Sequence, residues 1–297
     1  MSSRESRLLC QEFVVVACKN PGMAVKVVFG EDPGWVLREA GAFLASDPVR
    51  HNLILTLLRA RVAYPEPGRY WLATDGSAVV GVAFQSPLDF VASVTPANPE
   101  AVAALVEEIV EAGIILPGVN GEAATAARFA GQWTEQRGSA AFPVEGQRIY
   151  ELARAPKATA AGGRMRKASL DDLDLVLAWM RGFNADIGQD ARGFEPAVVE
   201  RRLEAGHFWL WEAGVPASLA ANSEPVEGVV RVQAVYTPPE MRNHGYAGAC
   251  VGNLSRRMQE AGYRCILYTD LGNPTSNSVY RRIGYRAVVE GLRYSFA

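Results

Sequence analysis

The sequence predicts an α/β protein of two tandem domains, each a mixed, mostly antiparallel sheet flanked by helices. Three observations predict it. First, 297 residues exceed one ordinary domain, and 49% hydrophobic residues suffice for two packed cores. Second, a strand-like run, Val232–Thr237, is followed by a glycine-bearing turn and a strongly periodic helix, Tyr246–Ala261. Third, strands and helices alternate in nearly the same order in both halves, which reads as an internal repeat of about 130 residues carried by element order, without recognisable residue identity.

Taken from the N-terminus, residues 1–22 read as an extension. Glu12 and the shortness of the apolar run Phe13–Cys18 speak against a signal peptide. A first domain is expected over residues 23–153, opening with a strand at Ala24–Phe29. Asp32 then Pro33 is an N-cap followed by an N1 proline, and Val36, Leu37, Ala40, Phe43 and Leu44 give that helix its apolar face. Asp47-Pro48 opens a second helix. Tyr70–Thr74 and Ala78–Phe84 form a hairpin across Asp75-Gly76. A strand at Phe90–Val94, a helix at Pro99–Ala112, a strand at Ile114–Leu116, a helix at Glu122–Gln136 and a strand pair near 140–152 complete the domain. Gly118 and Gly121 read as a tight turn, with a small-molecule loop as the alternative.

Residues 154–163, rich in Ala, Thr, Pro and Gly, form the linker, and residues 164–297 the second domain. There, Arg164–Lys167 is a strand, and Leu170–Phe183 and Pro196–Ala205 are helices. His207–Glu212 is a strand with Trp209 and Trp211 on one side, either core or the wall of an apolar pocket. Further strands flank Glu227-Gly228. In the central helix Ala247, Cys250, Val251, Leu254, Met258 and Ala261 make one face, and Gly262 ends it. Pro238 and Pro239 cannot donate to a ladder, so strand pairing should end or splay there. A strand, a glycine turn and a helix in that order gather backbone N–H groups at the positive end of a helix dipole. That place suits an anion such as a pyrophosphate.

Composition excludes other classes. A net charge of −2 lacks the basic face that nucleic acid requires. No apolar stretch approaches the ~20 residues of a membrane span. Three scattered histidines and four cysteines without C-x-x-C spacing offer no metal site, and the cysteines read as free thiols of a reducing cytoplasm.

The ordered set Arg242-Asn-His-Gly245-Tyr-Ala247, the strand Cys265–Thr269, Asn273, Tyr280 and Gly284-Tyr285 resembles the GNAT family of acyl-CoA N-acyltransferases, whose hallmark is Gln/Arg-x-x-Gly-x-Gly/Ala opening the central helix. The resemblance covers roughly residues 164–297. It implies acetyl-CoA as co-substrate, with no metal, and a small-molecule or peptide amine as acceptor. The backbone of Asn243, His244, Gly245, Tyr246 and Ala247 would hold the diphosphate, with Arg242 adding charge. Val235, Tyr236 and Thr237 would pair with the pantetheine amides as a further strand. Tyr280 would be the general acid for the leaving thiolate, a core tyrosine being the plainer reading. Asn273 would cap its helix or bond the cofactor, and Gly284-Tyr285 would shape the next strand. The family often places a base on the central strand, but Val229–Val235 holds no carboxylate. Glu212, Glu227, Tyr236, Tyr268 or a water relay remain open, and so does a non-catalytic acyl-CoA sensor. In the first half the corresponding turn, Thr95–Glu100, has no Arg-x-x-Gly, so that half should have lost acyl-CoA binding.

Overall fold

The computed structural model describes residues 25–156, 161–188 and 195–297. The expected N-terminal extension and the middle of the expected linker, including Cys10 and Cys18, lie outside these. The chain divides into two compact units: one holds the residues up to Ser46 with Thr56–Val144 and Leu292–Ala297, the other Asp47–Leu55 with Glu145–Gly291. Each unit thus includes a short segment from the far side of the other in sequence.

In the first unit the order is β1 (Val25–Gly30), α1 (Pro33–Ser46), α2 (Asn52–Ala63, shared with the second unit), β2 (Arg69–Asp75), β3 (Ala78–Gln85), β4 (Ala92–Val94), α3 (Pro99–Glu111), β5 (Gly118–Glu122) and α4 (Ala123–Arg137). β1, β2, β3 and β4 pair antiparallel in that order, and β4 pairs parallel to β5. The Asp75-Gly76 hairpin forms as expected, with Gly76 at φ 58°. The core joins Trp71 and Ala83 of the sheet to Val102, Leu105 and Ile109 of α3 and to Phe129 and Trp133 of α4.

Two expectations fail here. Asp47-Pro48 does not begin the second helix, which starts at Asn52. The strand expected at Ile114–Leu116 lies instead at Gly118–Glu122, where a turn was expected. Its glycines answer to packing: a Cβ on Gly118 would collide with the Tyr294 carbonyl oxygen, and one on Gly121 would come within 2.8 Å of the Val94 carbonyl. They admit close backbone neighbours rather than a turn.

The second unit continues with β6 (Ala141–Leu152, its end), β7 (Arg164–Lys167), a short 3-10 turn, α5 (Leu173–Asp186), α6 (Pro196–Glu204), β8 (Phe208–Glu212), β9 (Pro216–Asn222), β10 (Val229–Tyr236), α7 (Tyr246–Glu260), β11 (Arg264–Asp270), α8 (Pro274–Ile283) and β12 (Tyr285–Phe296). Its strands lie in the order β6-β11-β10-β9-β8-β7. α7 and α8 cover one face, where Trp209, Trp211, Val232, Leu267 and Tyr150 meet Cys250, Val251, Leu254 and Ile283. The paired tryptophans are therefore core. α5 and α6 cover part of the opposite face, through Val176, Met180, Val199 and Leu203 against Phe208, Leu210, Leu219 and Ala221. Val49, from the early segment, packs on Val229 and Ile266. Alternation along each strand sends its neighbours to these two faces.

Arg166 ties β7 to β8 and to the start of α5. It donates to both oxygens of Asp172 at 2.6 and 2.8 Å, and to Glu212 at 2.6 Å. Asp172 also accepts from the Ser169 backbone N–H at 2.8 Å, one half of a capping box. Cys250 and Cys265 are buried free thiols, and burial pushes both up to about 12.

Candidate functional site

β10 pairs in parallel with β11 only over Val229–Val232, opposite Arg264–Leu267. β11 runs on to Asp270, but against β6. On its other side β10 stays paired with β9 as far as Tyr236 opposite Leu219. Beyond Val232 the two parallel strands therefore part, and Val235 and Tyr236 have no ladder partner on the β11 side. The parting begins before Pro238. A register shift between Gln233 and Tyr236, with Ala234 at φ 50°, bends β10 first. The prolines then end the strand, Pro239 opening a 3-10 turn that ends at Met241.

The turn that follows is exposed from Arg242 to Gly245. Asn243 (φ 67°) and Gly245 (φ 81°) both take left-handed backbone, which Asn and Gly tolerate best. Gly245 is the N-cap of α7, its carbonyl accepting from Ala249 N–H at 3.0 Å, and no side chain caps the first turn. The backbone N–H groups at Tyr246 and Ala247 begin that helix, where the dipole is positive. The positive dihedral angle calls for glycine, and within the protein a Cβ there would meet only Ala161, at 3.7 Å. His244 Nδ1 donates to the Arg242 carbonyl at 2.7 Å, which fixes its tautomer, and its ring stacks on Tyr246 at 5.4 Å.

Arg242 does not project free charge. Its guanidinium donates to Asp186 of α5 at 2.6 Å and to the Thr237 carbonyl at 3.0 Å. The Thr237 carbonyl thus already accepts one hydrogen bond, and the Tyr236 main-chain carbonyl accepts another, from Ser218 Oγ at 3.0 Å.

On α8, Asn273 is the N-cap, accepting from Ser276 N–H at 2.9 Å, and its side chain lies exposed. Of the two roles considered for it, capping is the one seen. Asn277, which no motif in the sequence singles out, is the buried asparagine of this helix. It accepts from Tyr150 hydroxyl at 2.9 Å and donates to the Asp270 and Asn273 carbonyls. Its spacing of three before Tyr280 was the available signal. Tyr280 is 9% exposed and packs between Tyr150 (ring centroids 6.5 Å) and Tyr285 (6.3 Å). Tyr150 is bonded to Asn277, and Tyr285 to Ser255 at 2.7 Å. Among the described residues the Tyr280 hydroxyl has no hydrogen-bond partner. Burial pushes its pKa up to about 12, so the phenol holds its proton at neutral pH.

The candidate bases are not brought to a common point. Glu212 is held by Arg166 and Arg164, and those guanidiniums lower its pKa. Glu227 occupies a turn at φ 47° before Gly228. Tyr236 lies against Trp179, its hydroxyl filling the space that the absent Cβ of Gly182 leaves. Tyr268 is raised by burial. In the first unit the corresponding helix start is closed: Asn98 Oδ1 accepts from Ala101 N–H at 2.8 Å, and Pro99 stands at N1.

Among the described residues, no helix is long and apolar enough to cross a membrane, and no group of three His, Cys, Asp or Glu side chains could hold a metal ion. No curated protein matches the sequence significantly. Residues 217–294 match the family model described as FR47-like protein. A GNAT-family acetyltransferase from Colwellia psychrerythraea is 10% identical with a TM-score of 0.60, covering 92% of this chain and 100% of its own. A Drosophila protein is 13% identical at a TM-score of 0.58, covering 93% and 99%. A GCN5-related N-acetyltransferase from Sphaerobacter thermophilus is 16% identical at 0.57, covering 90% and 94%. Along nearly its whole length the chain has the fold seen in the GNAT acetyltransferases, and its residues 217–294 are similar to the FR47-like family model.

Proposed function

We propose that the second unit binds acetyl-CoA and transfers its acetyl group to a primary amine by direct attack in a ternary complex. The observation that carries this reading is the parting of β10 from β11 beside the uncapped start of α7. Unpaired strand edge suits the amides of a pantetheine arm, and a helix N-terminus suits a diphosphate. In the step itself the amine nitrogen bonds to the thioester carbon and the C–S bond breaks. The thiolate takes a proton from Tyr280, and the nitrogen gives one up through water. Arg242 reaches the diphosphate by leaving Asp186. The first unit, its helix start closed by Asn98 and bearing Glu100, binds no acyl-CoA. A reducing cytoplasm supplies both the co-substrate and the thiols left unpaired at Cys250 and Cys265.

Calorimetric titration with acetyl-CoA, followed by thiol release over a panel of small amines and peptides, tests the reading. Asn243→Asp keeps shape and tolerates left-handed backbone while adding a charge beside the diphosphate. It should weaken binding about tenfold, the 1.4 kcal/mol scale of one such contact, and Gly245→Glu should abolish it. Binding unaffected by both substitutions overturns the site. Binding with no thiol release from any amine overturns the transferase and leaves a sensor.

A further inference from the structure

The sheet face opposite α7 carries a cationic cluster that the site above leaves unused. Arg231 and Gln233 project from β10 on the same side, Arg231 Nε donating to Gln233 Oε1 at 3.1 Å. Arg231 also lies 5.2 Å over the Tyr268 ring. Arg202, from α6, stacks on Phe208 at 4.7 Å, and its one hydrogen bond, to the Asn222 carbonyl, is long at 3.4 Å. Neither arginine forms an ion pair with a described residue. Glu224, the acid near Arg202, is turned to solvent and bound to His207 at 2.7 Å. Burial and the neighbouring Arg231 lower Arg202 to about 10, the mark of a charge short of counter-charge.

The same face holds polar atoms without partners. The buried Tyr268 hydroxyl has the Arg231 guanidinium and the Leu53 main chain within reach but makes no well-formed hydrogen bond to a described residue, and both amide atoms of Asn52 are unbonded although that residue is fully buried. Asn52 opens α2 in the segment whose Val49 packs on Val229 and Ile266, and the Leu53 main chain lies beside the Tyr268 phenol. Unpaired charges and orphaned donors in one partly buried place are costly, and an anion that accepts from them removes the cost.

We propose that Arg231 and Arg202, supported by Gln233, select an acceptor amine that also carries a carboxylate or phosphate group. This rests on the acetyl-transfer reading. Arg231 stands four strand residues before Val235, on the order of 10 Å, so amine and anion are separated by several bonds.

The experiment compares matched pairs, 4-aminobutyrate and 3-aminopropyl phosphate against butylamine, in wild type, Arg231→Gln, Arg231→Lys and Arg202→Met. Thiol release should favour the anionic amines at least tenfold in kcat/KM, mainly through KM. Arg231→Gln should erase that preference and Arg231→Lys restore part of it, and the two anionic probes distinguish carboxylate from phosphate. Thermal unfolding with the same compounds, at constant ionic strength and without acetyl-CoA, reads the anion site alone. The anionic probes should raise the midpoint in wild type and not in Arg231→Gln. If that shift occurs while acetyl-CoA fails to bind, the acetyl-transfer reading falls and the anion site stands. Equal rates for charged and neutral amines, or equal midpoint shifts in wild type and Arg231→Gln, overturn the proposal.

Discussion

At the residue scale, protons and charges set what each side chain can do. Tyr280 stands with Tyr150 and Tyr285, whose hydroxyls are bonded to Asn277 and Ser255 while its own is not. An acid must be protonated and unoccupied, and burial up to about 12 secures the first. Tyr280→Phe should lower kcat by about 10²–10⁴-fold, the usual worth of general acid catalysis, with acetyl-CoA affinity unchanged in calorimetry. Loss of affinity with kcat retained would return Tyr280 to a packing role. Arg242 gives a second test. It is paired with the surface carboxylate of Asp186 and, in the proposed site, would have to leave it for the diphosphate; exposed ion pairs contribute about 0–1 kcal/mol. Asp186→Ala should therefore tighten acetyl-CoA binding by no more than about fivefold, and most at low salt, as titrations at two ionic strengths would show.

At the element scale, caps decide what each helix start can do. α3 and α7 both open after a strand and a turn, yet Asn98 closes the first and Gly245 leaves the second open. Asn98→Ala should cost about 1 kcal/mol of stability in denaturant unfolding, without conferring acetyl-CoA binding. The start of α5 depends on Asp172, whose carboxyl the Arg166 guanidinium and the Ser169 N–H hold below its ordinary range. The folded pKa lies below the unfolded one. The stabilisation is thus complete above the unfolded value and is lost as pH falls through the folded value. Asp172→Asn should lower the melting temperature at pH 7, and the difference from wild type should shrink as pH falls through the folded value, where protonation leaves both uncharged. Much of this level was legible: Pro33, Asn98-Pro99 and Asn273-Pro274 all announce helix starts, because caps act within a few residues. The bend at Ala234 was not, since a left-handed alanine carries no local signature and is imposed by pairing with β9.

At the scale of the whole molecule, the units are not contiguous stretches of chain. Leu292–Ala297 belong to the first unit, where Phe296 stacks on Trp133 at 5.1 Å and its N–H donates to the Pro117 carbonyl at 3.0 Å. Ending the chain at Gly291 should lower the stability of the first unit by several kcal/mol, from lost aromatic burial and strand bonds. Calorimetric unfolding would show one transition displaced downward. A fragment of the N-terminal half alone would lack this strand and would misrepresent the unit.

By itself the sequence determined the alternation of strands and helices, the hairpin at Asp75-Gly76 and the glycine turn before α7, because periodicity, caps and turn residues act over a few positions. Only the tertiary structure decided that β10 leaves β11 at Val232, that Arg242 is held by Asp186, that Asn277 rather than Asn273 is buried, and that Arg202 and Arg231 share one face without an ion pair to any described residue. Each of these joins residues distant in the chain, and such contacts are fixed by which strands lie side by side and which helices cover them.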